Sequence, residues 1–156
     1  MAITVGQAAP DFKLFNTEKK EISLSDYKGK NLVILFFPLA FTGVCTAELC
    51  NIRDNYNIYT SLNAEVVGIS IDSLFSLGKF KAEQNYNFDL LSDFNKTVAK
   101  SYDSLYETFG FGMVGVTKRS AFVIDKNEVI QYSEILEDAG KQPNFDAIKA
   151  CLEGLK

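Results

Sequence analysis

The sequence predicts an α/β fold, a central mixed sheet flanked by helices, and three observations carry that prediction. The run Leu32–Phe37 is apolar without interruption, which is the composition of a strand buried on both faces. A second Val/Ile-rich run, Val66–Asp72, follows it after a stretch of helical spacing, the order of two parallel strands joined by a helix. A third run, Lys118–Asp125, leads through Lys126-Asn127-Glu128 into Val129–Ser133, a hairpin, and a helical stretch follows. At 156 residues the chain reads as one domain, large enough to bury roughly 68–70% of its unfolded surface without disulfides. No linker, repeat or low-complexity segment divides residues 1–156.

The elements follow in order. Ala9-Pro10-Asp11-Phe12-Lys13-Leu14 is an X-Pro break followed by alternation, and Ile22–Ser25 alternates again after a charged turn at Glu18–Glu21. Ser25–Lys30 reads as a brief helical turn closed by Gly29. Pro38 stops the first long strand, because proline cannot donate to the ladder. A helix is expected from about Cys45 to Ser61, with Val44, Ala47, Leu49, Ile52, Tyr56 and Tyr59 facing inward. Next come a helix over Leu74–Gln84, periodic at Leu74, Leu77, Phe80 and Lys81, and a short strand at Asp89–Asp93. A further helix over Lys96–Leu105 points Val98, Ala99 and Tyr102 inward. Phe109–Thr117 holds three glycines and reads as a compliant loop; its spacing is not the G-x-G-x-x-G of a dinucleotide site. The last helix, Asn144–Gly154, has Pro143 near its first turn and buries Phe145, Ile148, and Cys151 or Leu152.

Bulk properties exclude several classes of function. A net charge of −4 supplies no general footprint for nucleic acid or an anionic membrane, and no apolar run reaches transmembrane length. Met1–Gln7 lacks the basic and apolar segments of a leader. Three cysteines, an odd number, suit a reducing, cytoplasmic compartment. The chain contains no histidine, which rules out Ser-His and Cys-His triads and leaves a zinc ion only cysteines and carboxylates. No cofactor or metal is expected.

The chemistry concentrates where the first long strand ends. Cys45 stands at a strand-to-helix turn, where loose backbone N–H groups and the positive end of a helix dipole stabilise a thiolate. The motif Pro38-x-x-x-Thr42-x-x-Cys45 resembles the active-site signature of the peroxiredoxins, thioredoxin-fold enzymes that reduce peroxides with a cysteine. Cys50 matches the second cysteine of the bacterioferritin comigratory branch, and Phe36–Gly43 is similar to the lead-in of the alkyl hydroperoxide reductase E branch. Ala9-Pro10-Asp11-Phe12 resembles the family's usual opening, so the likeness runs from Ala9 to about Lys126.

The resemblance implies a thioredoxin-like sandwich and a thiol-dependent peroxidase acting on hydrogen peroxide or organic hydroperoxides, with Cys45 as the peroxidatic sulfur. It also implies a thiol reductant such as thioredoxin, and a homodimer formed through loops near the site, where Phe41, Phe109 and Phe111 offer apolar contact. The Thr42 hydroxyl, three residues before Cys45, is placed to bond the thiolate and then a peroxide oxygen, with the N–H groups of Val44 and Cys45 as further donors. Of the two arginines, Arg119 matches the family's active-site arginine; otherwise it is a solvated charge at a strand start. Arg53 lies two turns beyond Cys45, and a pair near Asp54 or with Glu48 is expected for it. Glu48 resembles the family's helix glutamate that steers the arginine; by itself it is a first-turn acid favouring the dipole.

Cys50 stays open between two readings. Five helical residues separate Cα atoms by roughly 8–9 Å, beyond the disulfide limit of about 7 Å, so a bridge to Cys45 requires unwinding of the helix. Cys50 is either a resolving thiol coupled to that unwinding or a structural helix cysteine in a one-cysteine enzyme served by an external thiol. Cys151, beside Ile148 and Leu152, reads as core or as a less common resolving thiol. Two other classes compete: a non-catalytic interaction or chaperone module keeping the fold, and a dithiol reductase. The combination of Thr42, Cys45 and Arg119 argues against the first, and the absence of Cys-x-x-Cys against the second.

Overall fold

The computed structural model describes residues 3–155; Met1 and Ala2, the start of the stretch read above for a leader, lie outside it, as does Lys156. Its strands are β1 (Lys13–Asn16), β2 (Glu21–Ser23), β3 (Asn31–Phe36), β4 (Ala64–Ser70), β5 (Asp89–Ser92), β6 (Ser120–Ile124) and β7 (Ile130–Ile135). Its helices are α1 (Gly43–Asp54), α2 (Tyr56–Ser61), α3 (Leu74–Gln84), α4 (Thr97–Ser101) and α5 (Phe145–Gly154). The strands form one mixed sheet in the order β2-β1-β5-β4-β3-β6-β7. β3, β4 and β5 run parallel, while β1 and β6 are antiparallel to their neighbours on either side.

Successive residues of a strand point to opposite faces, and β3 shows this directly. Val33 and Leu35, followed by Phe37, enter a core with Leu49 and Ile52 of α1, Leu77 and Phe80 of α3, and Ile148 and Leu152 of α5. Leu32, Ile34 and Phe36 enter the opposite core with Val98 of α4, Tyr102 and Phe122. Both faces are covered, which is why β3 reads as an unbroken apolar run. Gly68 of β4 is required here: a Cβ would lie 2.8 Å from Leu90 Cδ2 and 3.2 Å from the Phe37 ring. Its bareness lets Leu49 pack down onto the sheet and seats α1.

Three expected elements differ from the observed ones. The helix expected over Cys45–Ser61 opens earlier, at Gly43, and breaks at Asn55 into α1 and α2. The Asn55 side-chain amide donates to the Asn51 carbonyl (2.8 Å), the backbone competition that makes asparagine a weak helix interior residue. Ala47, expected to face inward, is exposed, whereas the neighbouring Glu48 is buried. The helix expected over Lys96–Leu105 is only Thr97–Ser101. Asp93 caps its start by accepting from the N–H groups of Val98 and Ala99, and Asp103, at φ 53°, closes its end. The N–H groups of Asp103 and Ser104 then donate to the carbonyls of Lys100 and Ala99, a Schellman motif that no glycine marks in the sequence.

The compliant loop is a small twisted hairpin, bridged at Leu105–Thr117 and Thr108–Val114. Gly112 and Gly115 adopt positive φ there, and so does Phe111, which is fully exposed. Phe109, expected as exposed apolar contact, is instead half-buried against the Tyr106 ring. The hairpin ends on Arg119, one residue before β6, whose Ser120 hydroxyl donates to that of Ser104 (2.8 Å).

Candidate active site

The C-terminal end of β3 and the opening of α1 set the position of Cys45. Phe37 still pairs with the sheet through its N–H to the Ile69 carbonyl, and the buried Pro38 turns the chain off the ladder. Phe41 then takes a left-handed φ of 67° and lays its ring 5.0 Å from that of Phe80. Thr42 is the residue before the helix, and the first intrahelical bond runs from Thr46 N–H to the Thr42 carbonyl (2.9 Å). The N–H groups of Gly43, Val44 and Cys45 therefore lie outside the helical ladder, at the positive end of α1. Cys45 sits among them, completely buried.

Arg119 reaches the same point from the other side of the sheet junction. Its Nη2 donates to Cys45 Sγ at 3.2 Å, its Nη1 to Glu48 Oε1 at 2.6 Å, and its Nε to the Ala139 carbonyl at 3.0 Å. The guanidinium is 2 % exposed and Glu48 is fully buried, so the ion pair is shielded from water. Burial works against the arginine's charge, but Glu48 and Cys45 more than restore it and hold Arg119 above its ordinary pKa. Burial pushes the Glu48 carboxyl up to about 7, and the pull of Arg119 only partly offsets it. Glu48 Oε2 has no hydrogen-bond partner among the described residues. One permanent cation thus faces two groups, a sulfur and a carboxyl, all three buried from bulk solvent.

Comparison with known proteins decides the family. The AhpC/TSA family model matches residues 5–133. Peroxiredoxin Bcp of Bacillus subtilis is 41% identical over 158 residues, covering 100% of this chain and 97% of that protein. The chain belongs to the AhpC/TSA family, the peroxiredoxins. The spinach chloroplast 2-Cys peroxiredoxin BAS1 is 40% identical, and the match covers 97% of this chain but 59% of that longer protein. Among solved structures, that of peroxidoxin BcpB from Mycobacterium tuberculosis superposes with a TM-score of 0.87 at 28% identity, covering 99% of both chains. The present chain has the thioredoxin-like sandwich fold and the activity of a thiol-dependent peroxidase.

Within this peroxiredoxin the six candidate residues separate into groups. Cys45, Arg119 and Glu48 come together. Pro38 lies buried beneath the loop that precedes them. Thr42 is adjacent but turned away: its exposed hydroxyl donates to the Leu39 carbonyl at 2.8 Å, and its carbonyl takes the Thr46 hydroxyl as well as the Thr46 N–H. Cys50 is on the same unbroken helix as Cys45 but faces elsewhere, with its sulfur 3.6 Å from Gln84 Oε1 and 3.7 Å from the Tyr86 hydroxyl. Arg53 pairs with Asp54 (2.9 Å) and the Gln84 carbonyl (2.6 Å), not with Glu48, which Arg119 takes. Cys151 points its sulfur at the Gln131 carbonyl (3.7 Å), and burial pushes its thiol pKa up.

Two contributors were missed by the sequence reading. Asp72 Oδ2 accepts the Ala40 N–H (2.8 Å) and the Ser70 hydroxyl (2.7 Å), anchoring the loop ahead of Cys45. The pattern Ser70-x-Asp72 at the carboxyl end of a parallel strand was the available signal, since that edge is where open α/β sheets gather polar groups. The Ala139 carbonyl, which orients Arg119, left none, because a backbone acceptor has no sequence signature.

Proposed function

We propose that this peroxidase works through Cys45 as the peroxidatic sulfur and Cys50 as the resolving thiol. The thiolate attacks one oxygen of the peroxide and a sulfur–oxygen bond forms as the O–O bond breaks. The departing hydroxide or alkoxide takes up a proton and leaves as water or alcohol, with Cys45 now a sulfenic acid. Cys50 then attacks the Cys45 sulfur; an S–S bond forms, the S–O bond breaks, and water leaves. A dithiol of the thioredoxin type returns the disulfide to two thiols. The observation that carries the role of Cys45 is the buried contact of Arg119 Nη2 with Cys45 Sγ at 3.2 Å. The open N–H groups of Val44 and Cys45 supply donors for the oxygen on which charge develops.

An unbroken α1 favours a second reading, in which an external thiol reduces the sulfenic acid directly and Cys50 is structural. Intact mass after one equivalent of hydrogen peroxide separates the two. A loss of two mass units, with sulfenic acid accumulating in Cys50→Ser, is expected. A stable gain of sixteen in the wild type would overturn the resolving role. Three free thiols suit a reducing, cytoplasmic setting. The exposed Phe41, Phe111, Met113 and Val114 supply apolar surface for a homodimer, which sedimentation would test.

A further inference from the structure

Unwinding α1 has a specific obstacle. Thr46, Cys50 and Arg53 occur at helical spacing and share one face of α1. That face lies along the segment joining α3 to β5. The Tyr86 hydroxyl donates to the Thr46 carbonyl at 3.3 Å and lies 3.7 Å from Cys50 Sγ. Gln84 Oε1 lies 3.6 Å from the same sulfur. The Gln84 carbonyl accepts from Arg53 Nη1 at 2.6 Å, and Asn87 Nδ2 donates to the Arg53 carbonyl at 3.4 Å. The segment is itself rigid: Asn85 takes the left-handed C-cap of α3, and Tyr86 donates its N–H to the Lys81 carbonyl. The Tyr86 ring is buried edge-on to Phe80 and packed against Phe88, at centroid distances of 5.2 and 5.4 Å. Burial, then the bond to Cys50, push the phenol pKa up, so the hydroxyl keeps its proton and remains a donor.

We propose that Gln84, Tyr86 and Asn87 form a strap that holds the turn between the two cysteines helical, and that Tyr86 is the positioning residue setting how fast Cys50 reaches oxidised Cys45. The second half of this proposal rests on the reading of Cys50 as the resolving thiol. Closing the disulfide moves Cys50 away from Gln84 and Tyr86 and strips the Thr46 carbonyl of its phenol. The strap therefore holds α1 intact for peroxide reduction and must release before resolution. A tight strap lengthens the life of the sulfenic acid and favours its attack on a second peroxide, an S–O bond forming as the O–O bond breaks, to give sulfinic acid and water or alcohol. A loose one favours the disulfide.

The test uses Tyr86→Phe, which keeps the ring and removes one hydroxyl, with Gln84→Ala as a second variant on a half-buried side chain. In the reduced protein, amide hydrogen exchange over residues 46–50 is expected to rise roughly three- to tenfold, the effect of losing one hydrogen bond that holds the turn. After one equivalent of hydrogen peroxide, disulfide closure followed by quenched mass spectrometry is expected to accelerate by about the same factor. With excess peroxide, the sulfinic acid fraction should fall. Exchange unchanged in both variants overturns the strap itself. Faster exchange with closure unchanged or slower overturns its control of resolution. A wild type that stops at sulfenic acid overturns the resolving reading and the second half of the proposal, while the exchange result still decides the first.

Discussion

The two faces of α1 present the same side chain, a cysteine, in opposite settings. On one, Cys45 lies in the open first turn, buried, with a guanidinium at 3.2 Å. On the other, Cys50 lies a turn and a half along, half-buried, between a neutral amide and a phenol. Arginine is found on both sides, but Arg119 donates to a sulfur and Arg53 does not. Arg53 spends its donors on Asp54 and a backbone carbonyl, whereas Arg119 divides its donors among a thiol, a carboxyl and a carbonyl. Reactivity along this helix is therefore a matter of which face meets a desolvated cation, and the residue type alone does not decide it.

The largest effect is expected from the first face. Cys45→Ser should abolish peroxide reduction, measured as peroxide consumption with a dithiol donor, while circular dichroism shows the fold retained. More than a few per cent of wild-type turnover would show that the helix-mouth sulfur is not the one that reacts. Arg119→Met comes next. Losing one charge-assisted contact to the thiolate costs on the order of 1.5–3 kcal/mol, or about ten- to a hundredfold in the rate of Cys45 oxidation. Stopped-flow fluorescence or peroxide competition would read it, and an unchanged rate would break the contrast between the faces.

Removing the charge from the other face sharpens the same contrast. Arg53→Met should leave Cys45 oxidation within about twofold, because the half-buried guanidinium lies two turns away and is already committed to Asp54 and the Gln84 carbonyl. The same substitution takes a tie away from the segment that holds Cys50, so any change should appear in disulfide closure. A tenfold slower first oxidation would place Arg53 in the peroxide site after all.

Glu48 supplies the smallest effect and one with a definite sign. Its carboxyl is raised in the folded chain, from 4.5 to about 7. Between those values the folded chain keeps a proton that the unfolded chain releases, so its stability falls as pH rises through the window. The penalty is absent below the unfolded value and complete above the folded one. Glu48→Gln cannot titrate and should flatten this part of the profile, read as urea midpoints at several pH values. A slope as steep in the variant as in the wild type would assign the pH dependence to another group.

The local elements were readable because each rested on a short-range rule. Leu32–Phe37 announced a doubly buried strand, and Pro38 its end. Leu74–Gln84 was legible as a helix from periodicity alone. Cys45 stood out because a thiol at the junction of strand and helix has few structural reasons to be there, and the motif around it carried the family. The short-range rules failed at helix ends: the Asn55 side chain bonds back to Asn51 where one helix breaks, and Asp103 closes another at positive φ without glycine.

What the sequence determined by itself was the order of elements, the family and the sulfur at the helix mouth, all encoded within a few residues of one another. The resemblance singles out Arg119 and Glu48, but only the tertiary structure sets that guanidinium between the Cys45 sulfur and the Glu48 carboxyl. Cys45 and Arg119 are 74 positions apart, and only the pairing of β6 beside β3 brings them to one end of the sheet. It also decided that Thr42 turns toward Leu39 and that Cys50 is held by Gln84 and Tyr86. Such choices depend on distances between side chains carried by different elements. Spacing along the chain specifies a helix face, but the partner that face meets is set by packing.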